Sequence, residues 1–262
     1  MSDPVKTHRN GAIFEITLDR PKANAIDVTS SHRLGEVFAQ FRDDPTLRVA
    51  ILTGGGSKFF SAGWDLNEAA EVGGSGFAGD YGQGGVFGFP ELPGLEKPVI
   101  CAVNGYAIGS GFEAMLGADL VVASETAQMW LPETQLGFAP DVGTFRLPKV
   151  LPPVIANEIL YAGRRLSAAE AAGLGLINRV VPADALMDAA RDMAATIVRS
   201  APLAVAAVKQ TIRMQANMTV AQCYAAVRNG DFPMFARMME SADALEGPNA
   251  AIQGREPVWK GK

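Results

Sequence analysis

The segment from Lys97 to Gln135 constrains the fold more than any other part of this chain. Its apolar run Pro98-Val99-Ile100-Cys101-Ala102-Val103 is short and rich in β-branched residues, the pattern of a buried strand. Asn104-Gly105 interrupts the run, and Gly109-Ser110-Gly111 then opens a stretch with helical spacing, Phe112 to Leu120. A strand that passes through small residues into a helix leaves backbone N–H groups unpaired at the helix start. Those groups can bind an oxygen that gains negative charge. Glu113 falls in the first turn of that helix, and Glu133 follows Pro132 among Met129, Trp130, Leu131 and Leu136. Two readings stand for these glutamates. Either Glu113 is a favourable first-turn charge and Glu133 an exposed loop residue, or both are carboxylates in apolar surroundings, suited to general acid–base work on a carbonyl compound.

Upstream, Ile13 to Leu18 reads as a strand with one polar face, ended by Asp19-Arg20-Pro21. A helix is expected from Thr29 or Ser30, with Ser31 as its cap and Leu34, Val37, Phe38 and Phe41 as its apolar face. Val49 to Thr53 is the next buried strand, so strand, helix and strand suggest a right-handed crossover unit. Phe59 to Leu66 is a turn rich in small residues with a tryptophan inside it. Residues 73–88 carry so many glycines that they form either a mobile lid or a tolerated insertion. Asp119 to Ala123 is another short apolar run and Gly137 to Thr144 another glycine–proline turn, so the first half reads as repeated β–α units with loops gathered at one end.

From about Pro152 the pattern becomes helical alone: Val154 to Gly163, Ser167 to Gly173 with a capping-box spacing to Glu170, Asp184 to Ser200, Leu203 to Asn217 and Val220 to Met239. The methionines of this tail, Met214, Met218, Met234, Met238 and Met239, are expected in a core or a subunit contact rather than around a cofactor. The division that follows is an α/β core over residues 1–200 and a C-terminal helical region over 201–262.

Composition narrows the function. The net charge of −5 and the lack of any long Lys/Arg block argue against a nucleic-acid surface. No apolar run is long enough to span a membrane, and Met1 to Lys6 lacks a signal-peptide pattern, so a cytoplasmic enzyme fits. Cys101, inside the apolar strand, reads as a buried reduced thiol. The only histidines, His8 and His32, lie near no nucleophile motif, which counts against a zinc site or a Ser-His-Asp triad. The glycine runs match neither a phosphate loop nor the dinucleotide fingerprint, and no paired-cysteine metal spacing exists.

What remains is two small-residue turns combined with two glutamates. In this combination the chain resembles the crotonase (enoyl-CoA hydratase/isomerase) family. The resemblance is carried by Phe60-Ser61-Ala62-Gly63-Trp64-Asp65-Leu66, by Lys97-Pro98-Val99-Ile100 with Ala102 to Ala107, by Gly109 with Gly111-Phe112-Glu113, by Ala118-Asp119, and by Pro132-Glu133 with Leu136-Gly137. Beyond these motifs the likeness extends to a subfamily that handles a trimethylammonium-bearing acyl group. It rests there on Arg9-Asn10-Gly11, Glu15 to Asp27, Gly35-Glu36-Val37-Phe38, Phe41 to Pro45, Glu246-Gly247-Pro248 and Pro257 to Gly261.

The resemblance implies an α/β fold of stacked β-β-α units whose C-terminal helices help build a homotrimer, often paired into a homohexamer. It implies a coenzyme A thioester as substrate, with coenzyme A carried by that substrate and no separate cofactor or metal. It puts the oxyanion hole on the backbone N–H groups of Trp64 and Ser110, and the catalytic carboxylates on Glu113 and Glu133. Substrate contacts fall on Ala23, Ala25 and Ile26, on Ala62, Gly63, Asp65 and Leu66, on Tyr106 and Gly109, and on Trp130, Pro132, Gly137 and Phe138. Two departures bear on the acyl pocket: Ser110 stands where the family generally has glycine, and Val142-Gly143 where it has Gly-Gly. Hydration is the implied reaction, with double-bond isomerisation or thioester hydrolysis as alternatives on the same hole. A silent acyl-CoA-binding or RNA-binding relative is the non-enzymatic alternative. For a trimethylammonium group the implied partners are the aromatic faces of Trp64, Tyr106, Trp130 and Phe138.

Overall fold

A computed structural model describes residues 3–71 and 79–262; of the glycine-rich stretch, 73–78 lie outside the described residues. Two sheets and a set of covering helices make up the fold. β1 (Val5–Asn10) and β2 (Ile13–Leu18) form an antiparallel hairpin, and β2 then pairs in parallel with β3 (Val49–Gly54). The parallel order continues through β5 (Val99–Val103) and β7 (Leu120–Ser124) to β10 (Arg179–Val181). A second sheet is built from β4 (Phe59–Ser61), β6 (Tyr106–Ile108), β8 (Gln128–Trp130) and β9 (Leu166–Ser167). The chain therefore gives one strand to each sheet in turn: β3 then β4, β5 then β6, β7 then β8. Each of these pairs is followed by a helix: α2 (Leu66–Glu71) after β4, α3 (Ser110–Gly117) after β6, and a 3-10 turn (Glu133–Leu136) leading into α4 (Asp141–Val150) after β8.

β3 and β5 are buried along their whole length, as expected for strands covered on both faces. One face packs Leu52, Cys101 and Val103 into the main core with Phe38, Phe41 and Phe112; the other packs Ile51, Ile100 and Val122 beneath α7 (Leu186–Val198). The Cys101 thiol is free and buried, and burial pushes its ionisation up.

Several expectations are corrected. The first-half reading of plain β–α units missed β4, β6 and β8, because three residues are too few to show a periodicity. It also missed β1, whose side chains are mostly exposed. The helix α1 (Val28–Asp43) is capped by Asp27 rather than Ser31: Asp27 and Ser30 form a capping box, while Ser31 is buried inside the helix. The glycine–proline turn over 137–144 is cut short by α4 (Asp141–Val150), whose entry Pro140 sets. After Pro152 the chain is not helical alone, since β9 and β10 return to the two sheets between α5 (Pro153–Ala162), α6 (Ala168–Gly173) and α7. At the start of α6, Ser167 accepts from Glu170 N, but the Glu170 side chain is drawn to Arg164, so only half of the capping box forms.

The tail holds α8 (Pro202–Met214), α9 (Val220–Asn229), α10 (Pro233–Met239) and α11 (Ala242–Gln253). The single helix expected over 220–239 is broken at Gly230, which takes φ +75°, and restarts at Pro233. α8 is fastened to the core by Lys209 on Asp119 (2.7 Å) and by Arg213 on Glu96. None of the five tail methionines is buried; Met214 and Met239 are exposed. Among the described residues no helix is long and apolar enough to cross a membrane.

Candidate active site

The two small-residue turns lie against each other at the ends of β4 and β6. A Cβ at Gly63 would stand 2.5 Å from Ile108 O and 3.2 Å from Ser110 N, and one at Gly111 would stand 2.6 Å from Ser61 O. Only glycine allows this approach, and at Gly63 the backbone adds φ +84° to the requirement. The first turn is held in place from the other side by residues 23–26. Ala62 N donates to Ala23 O, Ile26 N to Gly63 O and Asp65 N to Ile26 O, all within 2.8–2.9 Å. Ser61 Oγ donates to Asn24 O (2.7 Å) and accepts from Gly63 N (3.1 Å). Arg20 clamps the arrangement through Asp65 and Asp27, each at 2.7 Å.

This pairing fixes the direction of the Trp64 N–H. Ile26 bridges to residues 63 and 65, so the peptide N–H of Trp64 points to the opposite side. Ser110 is the first residue of α3, where a backbone N–H has no partner within the helix. Gly109, at φ +53°, makes the sharp entry into that helix, and its N–H donates to Trp130 O at 3.0 Å.

Both glutamates are buried, which removes the reading of Glu133 as an exposed loop residue. Glu113 Oε1 accepts from Gly143 N at 2.9 Å. Burial drives its pKa up to about 8; the Gly143 bond opposes the shift, and the charges of Asp141 and Glu133 add to it. Glu133 opens a short 3-10 turn, Glu133–Leu136, after Pro132. Its Oε1 would meet a Cβ at Gly109 at 2.5 Å, so the carboxyl group lies against the entry to α3. Burial raises its pKa to about 7, its own backbone N–H lowers it, and Asp141 raises it further. Glu133 Oε2 and Trp64 Nε1 are buried polar atoms without a hydrogen-bond partner among the described residues.

The other expected contact residues separate into groups. Ile26 is fully buried and offers the site only its backbone, whereas Leu66 and Gly137 are exposed. Phe138 follows the Glu133 turn, its N–H bonded to Glu133 O at 2.9 Å. Tyr106 and Trp130 pack edge to face at 5.7 Å, and the Arg165 guanidinium lies 4.2 Å from the Trp130 ring centre, so that face already carries a cation. Trp64 instead pairs edge to face with Tyr81, their rings 5.0 Å apart. Tyr81 and Asp141 were not among the expected site residues. Tyr81 sits in the glycine-rich stretch, which offered no pattern, and Asp141 read as part of a turn; the proline before it and a first-turn acid were the available signal for a helix start.

The chain matches the family model described as enoyl-CoA hydratase/isomerase over residues 8–262. The chain belongs to the enoyl-CoA hydratase/isomerase family. Among the members of this family, a carnitinyl-CoA dehydratase of Salmonella paratyphi A is 54% identical, covering all of both chains, and one of Citrobacter koseri is equally similar. The enoyl-CoA hydratase of Mycobacterium tuberculosis H37Rv superimposes with a TM-score of 0.89 at 35% identity, again over the whole of both chains. That of Bacillus anthracis gives 0.89 at 31% identity, over 99% of this chain and 100% of the other. The alternation of strands between two sheets and the helical C-terminal region are thus the crotonase fold.

Proposed function

We propose that the enzyme adds water to crotonobetainyl-CoA to give L-carnitinyl-CoA, and removes it in the reverse direction. The reaction class, enoyl-CoA hydration and dehydration by a hydro-lyase, follows from the family and from the full-length relatives. The acyl group is our reading, supported by 54% identity to carnitinyl-CoA dehydratases over the entire chain.

The observation that carries the mechanism is the placement of two buried carboxyl groups, both pushed well above the usual carboxylate range by burial, beside two backbone donors that have no partner among the described residues. The thioester oxygen accepts from the N–H groups of Trp64 and Ser110, with the start of α3 adding its positive end. Glu133 takes a proton from water through Oε2, which has no hydrogen-bond partner among the described residues, as the hydroxyl bonds to the β-carbon. The electrons of the double bond move towards the thioester, and the enolate oxygen gains charge against its two donors. Glu113 orients the water and, holding its proton at neutral pH, delivers it to the α-carbon, which restores the carbonyl group. Every step uses groups of the protein and the substrate, with coenzyme A brought by the substrate and no further cofactor.

We also read the chain as a homotrimer or homohexamer working in the cytoplasm, with residues 201–262 contributing to assembly and to the acyl-CoA site. Val208, Ile212, Val220, Tyr224, Leu245 and Ile252 of α8, α9 and α11 are exposed, an apolar surface suited to a second copy. The free state of both cysteines suits a reducing compartment.

The test is ultraviolet loss of the conjugated thioester across a panel of enoyl-CoA esters. Turnover of crotonobetainyl-CoA well above that of crotonyl-CoA is expected; preference for crotonyl-CoA would reject the acyl-group assignment.

A further inference from the structure

A trimethylammonium group has no N–H to donate, so a protein can recognise it only with aromatic faces and negative charge. In crotonobetainyl-CoA the cation is one methylene away from the β-carbon. Whatever holds it must therefore stand beside the groups that act on that carbon. Of the aromatic residues near the site, Trp130 is unsuited, because Arg165 lies over its ring and would repel a second cation. Trp64 is different: it carries an oxyanion-hole N–H on its backbone and packs its ring against Tyr81. Among the described residues, the cations found over rings are Lys58, Lys97 and Arg165, and none of them sits on Trp64 or Tyr81.

Charge points to the same place. Asp141 is the first residue of α4, two positions before the Gly143 N–H that holds Glu113, and it is exposed. Its carboxyl group acts on Glu113, on Glu133 and on the Tyr81 hydroxyl, and Glu68 acts on Tyr81 as well. The nearby cation Arg20 is already engaged by Asp65 and Asp27. The Arg20 charge also reaches Glu68, whereas Asp141 forms no salt bridge among the described residues.

We propose that Asp141, together with the Trp64–Tyr81 ring pair, binds the cationic end of the acyl chain and sets the preference of the enzyme for a charged over a neutral substrate. This rests on the hydratase reading above and deepens it. The carboxylate supplies attraction that a neutral chain cannot use, while the ring pair supplies a surface of matching shape.

The experiment compares crotonobetainyl-CoA with its neutral isostere, in which a tert-butyl group replaces trimethylammonium, by kcat/KM on the intact enzyme. Wild type should favour the cation. Asp141→Asn should cut the ratio of cation to isostere roughly 10-fold or more, as expected for losing one close charge in a partly desolvated site. Tyr81→Leu should cut the same ratio several-fold, in the range of a single cation–π contact, about 3- to 10-fold. A ratio left unchanged by both substitutions, or a loss falling equally on the two substrates, would overturn the proposal while leaving hydration intact. Wild type that turns over the isostere and not the cation would remove the acyl-group reading as well, and wild type inactive on both would remove the hydratase reading itself.

Discussion

The backbone N–H of Gly143 reaches Glu113 Oε1 over 2.9 Å, tying the first turn of α4 to the first turn of α3. One oxygen of this buried carboxyl group is thereby fixed by a backbone donor, while a side-chain hydrogen bond with Asp141 helps to raise its pKa. The charge of Asp141, two residues before Gly143, raises the pKa of both glutamates, so one short segment both holds Glu113 and sets the charge around the pair.

The acidities of the pair lead to a bell-shaped pH profile. With Glu133 near 7 and Glu113 near 8, the working form has one proton between them. Falling pH protonates Glu133 and removes the base; rising pH strips Glu113 and removes the acid. Because the two carboxyl groups interact, the limbs belong to the pair rather than to either residue. The profile of kcat/KM should peak between about 7 and 8 and fall tenfold per pH unit well outside that range. A flat profile from roughly pH 6 to 9, or a single limb near the ordinary carboxyl value of about 4.3, would contradict this protonation scheme.

The close approach of the two turns gives a second expectation. Gly63→Ala places a Cβ 2.5 Å from Ile108 O, so the turns must separate, which under the proposed mechanism pulls apart the two N–H donors of Trp64 and Ser110. A fall in kcat of about 100-fold or more is expected, the size seen when one oxyanion donor is lost. Gly175→Ala is the control: its backbone has φ +81° but nothing lies within 4 Å of the added Cβ, so it carries the strain without the separation. Its kcat should stay near that of wild type. Equal rates for the two variants would show that the approach of the turns does not matter.

The residues of the site were legible where they lie close together in the chain. Gly109 to Glu113 announced a helix entry with an acid behind it, and the small-residue turn around Trp64 announced a second place of close backbone approach. Composition could not say that these turns meet, since that depends on β4 and β6 pairing in a second sheet of very short strands. The resemblance to the crotonase family supplied that layer. α4 stayed hidden because Pro140, Gly143 and Pro148 weaken the helical pattern, although Pro148 lies inside the helix. The division of the aromatic residues was invisible for another reason. Which ring Arg165 covers, and which ring Tyr81 meets, is decided by tertiary packing between distant segments.

The most direct test of the central claim, that Glu113 and Glu133 divide the proton transfers, is the rate of enoyl-thioester loss in Glu113→Gln and Glu133→Gln, with acyl-CoA binding measured in parallel. Glutamine keeps the shape and an acceptor for Gly143 N–H, but it can neither release nor take up the proton. Each variant should bind acyl-CoA with little change and lose turnover by roughly 100-fold or more, in the range of general acid–base catalysis. Near-normal turnover in either variant would contradict the mechanism.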